Sequence, residues 1–346
     1  MTPGRATPEG AARYTSRFPA AGFYRTASGL SVSSLGLGTY LGGLDESFDS
    51  AYTSAVAAAV CGGINFLDSA INYRHQRSER SIAAALSRLF ASGEFNRDEI
   101  AVCTKAGFLT PGAVNPDTLR DGDVIGGMHS MAPDFLADQI DRSRANLGLD
   151  TLDVFYLHNP ETQLGHVPRQ EFETRIRAAF TRLEQIVEQG KIGWYGAATW
   201  EGFRKPSGGL GLLRLAEIAR EAGGSGHHFR FIQLPFNLAM PEAYTQRPEV
   251  RDGAAITVLD AAREAGVTVV ASATLLQSKL ARGLPAGVAK QIPGFTSDAQ
   301  RAIQFTRSTP GITVALVGMS DAAHVKENLV VAQAPPLDAR AYQRLL

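Results

Sequence analysis

Gly63-Ile64-Asn65-Phe66-Leu67-Asp68-Ser69-Ala70 is a short run, largely apolar up to the acid Asp68. Ile71-Asn72-Tyr73 carries the chain on toward a helical pattern over Ser78–Phe90. In that pattern Ile82, Ala85, Leu86 and Leu89 recur on one helix face. A strand that is apolar without alternation, followed by an amphipathic helix, reads as one unit of a parallel sheet covered by helices.

The same unit recurs in both directions along the chain. Strands are expected at Leu35–Thr39, Ile64–Asp68, Ile100–Lys105, Asp153–His158, Gly193–Ala198, Phe229–Gln233, Val267–Ala271 and Thr313–Val317. Helices are expected at Ser50–Cys61, Ser78–Phe90, Asp134–Leu147, Glu173–Glu188, Leu212–Ala222 and Ala254–Ala265. Gly190, Gly223 and Gly266 follow three of them, as left-handed C-terminal caps would. Eight units predict an α/β fold closed as a (β/α)8 TIM barrel. Ahead of it, Phe23–Arg25 and Leu30–Val32 flank Ser28-Gly29 and predict an N-terminal β-hairpin. Residues 1–20 are expected to form a flexible tail, and 21–346 a single barrel domain. Two long stretches, Gly107–Met131 and Ser272–Pro310, read as loops. Both follow a strand, so both belong to the C-terminal face, where barrel enzymes carry their chemistry.

Composition narrows the function classes. The chain has 346 residues, 44% of them hydrophobic, which suffices for a large core in one barrel domain. Thirty-four Lys and Arg balance 34 Asp and Glu, a neutrality that argues against a nucleic-acid or polyanion partner. Cys61 and Cys103 stand in apolar surroundings outside any CxxC or Cys/His cluster. They read as buried core thiols in a reducing compartment, with no metal site. Residues 1–20 lack the apolar core of a signal peptide, and no run of about 18 apolar residues occurs. A cytoplasmic location without membrane contact is expected. Oligomeric state is left open.

Chemistry gathers at the strand ends. The second strand ends in Asp68 with Tyr73 five residues on, the third ends in Lys105, and the fourth in His158. Taken singly, Asp68 reads as a helix cap, Lys105 as a salt-bridge partner, His158 as a turn residue and Tyr73 as rim packing. Together, four titratable groups on one rim point to catalysis. A phenol is a weak acid at neutral pH, and a neighbouring cation favours its phenolate. Lys105 would supply that cation, Asp68 would hold the ammonium, and His158 would orient a substrate oxygen. Such a set suits general-acid transfer to a carbonyl. Tyr40, Phe108, His129, Asn159, Glu161 and Trp200 follow strands or lie in the long loops and are candidates to line the pocket. The polar ones point toward a hydroxylated substrate such as a sugar.

Gly63–Ala70 with Tyr73 and Ser78-Glu79 resembles the first signature of the aldo-keto reductase family. Val32–Thr39 is similar to that family's opening strand, Thr104-Lys105 to its lysine strand and Asp153–His158 to its histidine strand. Gly190–Gly196 resembles its fifth strand, and Glu327-Asn328-Leu329 its adenine-binding helix. The resemblance runs from about Tyr24 to Ala332. It implies a catalytic tetrad at Asp68, Tyr73, Lys105 and His158. It also implies NADP(H) as cofactor, with NAD(H) left open, bound without a Rossmann fold. The cofactor contacts it implies are Thr39, Asp68, Thr199, Gln233, Ser272, Leu275, Gln277, Ser320, His324 and Asn328. The chain departs from the family where Ala198-Thr199 replaces Ser-Asn and where Ser272 replaces a stacking ring. His324 stands where a cation for the 2′-phosphate is expected, with Lys279, Arg282 and Lys326 as nearby alternatives.

Three functions are compatible with these residues. The first is NAD(P)H-dependent reduction of an aldehyde, ketone or sugar carbonyl, or the reverse oxidation of an alcohol. The second is a redox-neutral epimerase- or lyase-like cycle with retained cofactor, and the third a non-catalytic NADPH-binding regulatory subunit.

Overall fold

The computed structural model describes residues 1–204 and 208–345. Chain order begins with α1 (Pro8–Ser16), the hairpin β1 (Tyr24–Ala27) and β2 (Leu30–Ser33), then β3 (Leu35–Gly38) and α2 (Glu46–Cys61). It continues through β4 (Phe66–Asp68), α3 (Arg77–Ala91), β5 (Ala101–Ala106), α4 (Pro133–Leu147), β6 (Leu152–His158) and α5 (Arg169–Glu188). Next come β7 (Ile192–Ala198), α6 (Leu212–Gly223), β8 (Phe229–Pro235) and α7 (Glu242–Thr245). A second hairpin follows, β9 (Glu249–Arg251) with β10 (Ala254–Ile256). The chain ends with α8 (Val258–Glu264), β11 (Thr268–Ser272), α9 (Ala286–Gln291), α10 (Asp298–Ser308), β12 (Val314–Gly318), α11 (Ala322–Asn328) and α12 (Ala339–Gln343).

Eight strands close into a barrel in the order β11-β12-β3-β4-β5-β6-β7-β8, every neighbouring pair parallel. This is the (β/α)8 TIM barrel, with the N-terminal hairpin in place. Register matters for the site. Asp68 pairs with Cys103, Ala106 with Leu157, His158 with Ala198 and Ala198 with Gln233, so the strand ends meet along one rim. Phe66, Cys103, Tyr156, Phe231 and Val270 fill the barrel interior, while a second, larger apolar layer lies between strands and helices. Burying each large apolar side chain contributes about 1.5–3 kcal/mol, so this double layer is a rigid base for the rim. At Gly196 a Cβ would lie 1.9 Å from the Phe231 oxygen, beside a register shift between β7 and β8. Only glycine permits that approach.

The first twenty residues differ from expectation. Instead of a loose tail, α1 packs onto the floor of the barrel. Thr7 caps it by accepting from the Gly10 N–H, and Pro8 occupies its first turn. Tyr14 is fully buried and donates to the Val60 oxygen at 2.6 Å. Ala6 donates its N–H to Asp153 Oδ1 at 2.7 Å.

Smaller corrections have local causes. Ala254–Ile256 is not helical; Asp252-Gly253, both at positive φ, turn it back into a hairpin with Glu249–Arg251. The stretch Ser272–Pro310 is not all loop, because Ser297 and Gln300 form a capping box that starts α10. Gly190 and Gly266 have the positive φ of such caps, but after α6 Gly223 keeps a negative φ, and Gly224, with φ 69° and ψ −161°, is not left-handed helical. Cys103 is buried, whereas Cys61, the last residue of α2, is exposed. Among the described residues no helix is long and apolar enough to cross a membrane, and no group of three or more His, Cys, Asp or Glu is placed to hold a metal ion.

Candidate active site

Lys105 is completely buried at the end of β5. Its Nζ donates to Asp68 Oδ1 at 2.6 Å and to the Ser69 backbone oxygen at 2.6 Å, and lies 3.4 Å from the Tyr73 hydroxyl. The same ammonium stands 4.7 Å from the centre of the Tyr73 ring. Three acceptors satisfy three N–H bonds, which is what lets an ammonium persist in the interior. The second Asp68 oxygen, Oδ2, accepts from Gln233 Nε2 at 2.9 Å. Thr39 Oγ1 meets the Asp68 backbone oxygen and Ser69 Oγ, fixing the turn after β4.

Tyr73 owes its place to an unusual turn. Arg74, His75 and Gln76 have φ of 49°, 50° and 70°, three consecutive left-handed residues without a glycine. Arg74 holds the turn by donating to the Gly43 oxygen at 2.7 Å and to Asp49 Oδ1 at 2.6 Å. Strain of this kind persists where surrounding contacts over-determine it. The Tyr73 ring is edge-on to Tyr40 and to His158, at 5.0 and 5.7 Å between centres.

Charge states follow from burial and neighbours. Burial pushes the Asp68 carboxyl up, opposed by Lys105 and Gln233. Burial would lower Lys105, but Asp68 and then Tyr73 outweigh it and its pKa is raised. For Tyr73, burial raises the phenol and Lys105 only partly offsets it, so the net shift is upward. Lys105 lowers the phenol, as expected, but not enough to bring it toward neutral pH. Tyr73 therefore keeps its hydroxyl proton at neutral pH. Burial, then Lys105 and then His129, drive His158 well below its usual value, so its imidazole is neutral.

These groups face a cleft of about 460 Å³ at the carboxyl rim. Asp68, Tyr73 and His158 line it, while Lys105 lies beneath its floor. Of the residues expected at a cofactor, Thr39, Asp68, Thr199, Gln233, Ser272, Leu275 and Gln277 line the cleft. Ser320, His324 and Asn328 lie outside its lining, on and before α11. Among the expected substrate contacts, Tyr40, Phe108, Asn159 and Trp200 line it, and His129 and Glu161 do not. Glu161 instead clamps the loop after β7, its Oε1 accepting from the Trp200 and Glu201 N–H groups at 2.7 and 3.0 Å. Asn72 and Thr274 line the cleft without having been singled out in the sequence. Asn72 sits next to Tyr73, a proximity that was legible; Thr274 carried no signal beyond its loop.

A sequence model described as the Aldo/keto reductase family matches residues 34–205, the stretch from β3 past β7 that supplies all four groups. The chain belongs to this family. D-threo-aldose 1-dehydrogenase from a Pseudomonas species is 31% identical over 181 residues, 48% of this chain and 50% of that protein. An aldo-keto reductase from Strobilurus tenacellus is 28% identical over 262 residues, 75% of this chain and 60% of that protein. The chain thus spans half to three-fifths of the length of these curated relatives. Among solved structures, an aldo/keto reductase from Klebsiella pneumoniae in complex with NADP and acetate aligns with TM-score 0.66 and 20% identity, covering 94% of each chain. A holo aldo-keto reductase from Bacillus halodurans aligns with TM-score 0.66 at 19% identity, covering 94% of this chain and 95% of that one. At that identity these structures bear on the fold of this aldo/keto reductase.

Proposed function

We propose that this aldo/keto reductase is an NAD(P)-dependent oxidoreductase that reversibly reduces an aldehyde, ketone or sugar carbonyl. Tyr73 is the general acid in reduction and the base in oxidation. The observation that carries this reading is the buried Lys105, which joins Asp68 to Tyr73 directly beneath the cleft. The relatives support it: one is named a sugar dehydrogenase, and a structural neighbour was crystallised with NADP.

The site suits a nicotinamide cofactor. The Thr199 and Thr274 hydroxyls on the cleft wall, and Asn328 Oδ1 on α11, are buried without partners. A buried polar atom left unpaired is costly, so these atoms await a ligand. Thr199 and Gln233 would hold the carboxamide, Ser272, Leu275 and Gln277 would flank the cofactor, and Ser320, His324 and Asn328 would take its adenosine end. When bound, the cofactor supplies or accepts the hydride.

The chain's own residues handle the proton and the oxygen. In reduction the substrate carbonyl oxygen lies between Tyr73 and His158. A neutral imidazole N–H of His158 donates to that oxygen and orients it, and the Tyr73 hydroxyl transfers its proton as negative charge develops there. Lys105 stabilises the resulting phenolate, and Asp68 keeps Lys105 charged and aimed. Oxidation reverses each transfer. Among the described residues no feature favours a redox-neutral cycle or a purely regulatory role over turnover. A buried lysine–carboxylate pair is instead costly to keep for stability alone.

The test is titration with NADPH and NADH by nicotinamide fluorescence, followed by a panel of aldehydes, ketones and aldoses. Saturable binding and turnover of at least one carbonyl support the proposal. Binding without turnover on any class would favour a regulatory role, and absence of binding would overturn the cofactor assignment.

A further inference from the structure

His129 belongs to the long loop after β5, is fully buried, and lies outside the cleft lining. Its Nε2 is 2.8 Å from the backbone oxygen of His158, and Gln163 Nε2 is 3.1 Å from its Nδ1. A carbonyl oxygen only accepts, so Nε2 carries the hydrogen, and Nδ1 presents the lone pair to the Gln163 amide N–H. Burial lowers the imidazole pKa to about 4 against the opposing pull of the His158 carbonyl, so the ring is neutral. One tautomer therefore satisfies both neighbours.

The surroundings are shaped for this bond. The β5–β6 ladder ends at Ala106 and Leu157, and Asn159, with φ of 49°, turns the chain away directly after His158. Where sheet pairing stops, the His129 N–H takes the His158 carbonyl. A Cβ at Gly107 would lie 2.6 Å from both His129 Nε2 and that oxygen, so the bond depends on a missing side chain. Phe108 stands edge-on to both imidazoles, 5.2 Å from each ring centre.

We propose that His129 is a positioning residue. It fixes the backbone from which the His158 ring reaches the substrate, and it ties the long loop after β5 to the catalytic rim. This rests on the reading of His158 as the group that orients the carbonyl.

His129→Leu keeps the bulk and loses the N–H. The account expects kcat to fall roughly tenfold or more while the cofactor Kd changes less than about twofold, because a displaced ring affects turnover rather than cofactor contacts. His129→Gln, whose amide N–H reaches the place of Nε2, is expected to recover most of the loss. Wild-type kcat in His129→Leu, or equal losses in the two variants, would overturn the proposal. The 15N spectrum of histidine-labelled wild-type protein tests it without any variant. His129 is expected as the neutral Nε2–H tautomer from about pH 5.5 to about pH 8. An Nδ1–H tautomer or an imidazolium in that range would overturn it. Should the wild type turn over no carbonyl at all, the reading of His158 falls, and the spectrum alone decides the nitrogen assignment.

Discussion

Gln233 Nε2 donates to Asp68 Oδ2 at 2.9 Å, a hydrogen bond that spans the mouth of the barrel from β8 to β4. In the closed strand order those two strands stand opposite each other. Asp68 thus divides its oxygens, Oδ1 to Lys105 and Oδ2 to Gln233, and the amide oxygen of Gln233 takes no part in that bond.

Gln233→Leu removes both ends of that arrangement. Cofactor affinity is expected to fall about tenfold, the size of one lost hydrogen bond. Because burial already pushes Asp68 up and Gln233 opposes it, the carboxyl moves further up in the variant. Turnover needs the carboxylate to keep Lys105 in place, so the acid-side loss of kcat shifts to higher pH. Fluorescence titration and pH–rate profiles of the two proteins check both outcomes.

The wild-type pH profile for reduction follows from two shifts. His158 is depressed far below its usual value and titrates nothing near pH 6.5. Tyr73 is raised, so the proton-donor form survives until pH climbs past its ordinary value of about 10. The kcat/KM for reduction, which reports the free enzyme, is expected to be flat from about pH 6 to about pH 9. An inflection near pH 6.5 would assign a titrating role to His158 that its environment opposes.

Much of this was readable from the strand ends. Asp68, Lys105 and His158 each follow a largely apolar strand run, and a barrel leaves such residues only one rim to occupy. The unreadable parts depend on contacts between distant segments. Nothing near Gln233 announces its bond to Asp68, 165 residues away in sequence. The left-handed turn at Arg74-His75-Gln76 contains no glycine to announce it, and it is held by distant contacts such as those of Arg74 to Gly43 and Asp49. In α1 just three residues are buried, so no apolar stripe marks it, although Thr7-Pro8 is a helix-start signal. The sign of the Tyr73 shift required knowing how deeply the phenol is buried.

Asp153 joins the N-terminal segment to the barrel floor. It accepts from the Ala6 and Val102 N–H groups and from Arg97 Nη2, each at 2.7 Å. Asp153→Ala strands a buried guanidinium and is expected to cost about 3–5 kcal/mol. Urea denaturation measures the loss, and faster hydrogen exchange at the Ala6 amide would show the N-terminal segment released.

On the function proposed above, a 2′-phosphate on the cofactor would meet Ser320 and His324, with His324 exposed near the start of α11. Replacing both by Ala is expected to weaken NADPH relative to NADH by about three- to tenfold, the loss of one or two exposed phosphate contacts. An unchanged ratio would move the phosphate to Lys279 or Lys326.

Tyr73→Phe is the most direct test of the central claim. The substitution removes one hydroxyl and keeps the ring that packs against Tyr40 and His158. Cofactor Kd is expected to stay near wild type while kcat falls by about 10² or more, the usual share of a general acid. Lys105→Met should also reduce kcat, and the double variant should be little worse than Tyr73→Phe alone, since both disable one proton-transfer unit. Steady-state rates of the four proteins on the best carbonyl decide the matter. Retention of most activity by Tyr73→Phe would contradict the assignment of Tyr73 as the acid, and with it the catalytic reading of this site.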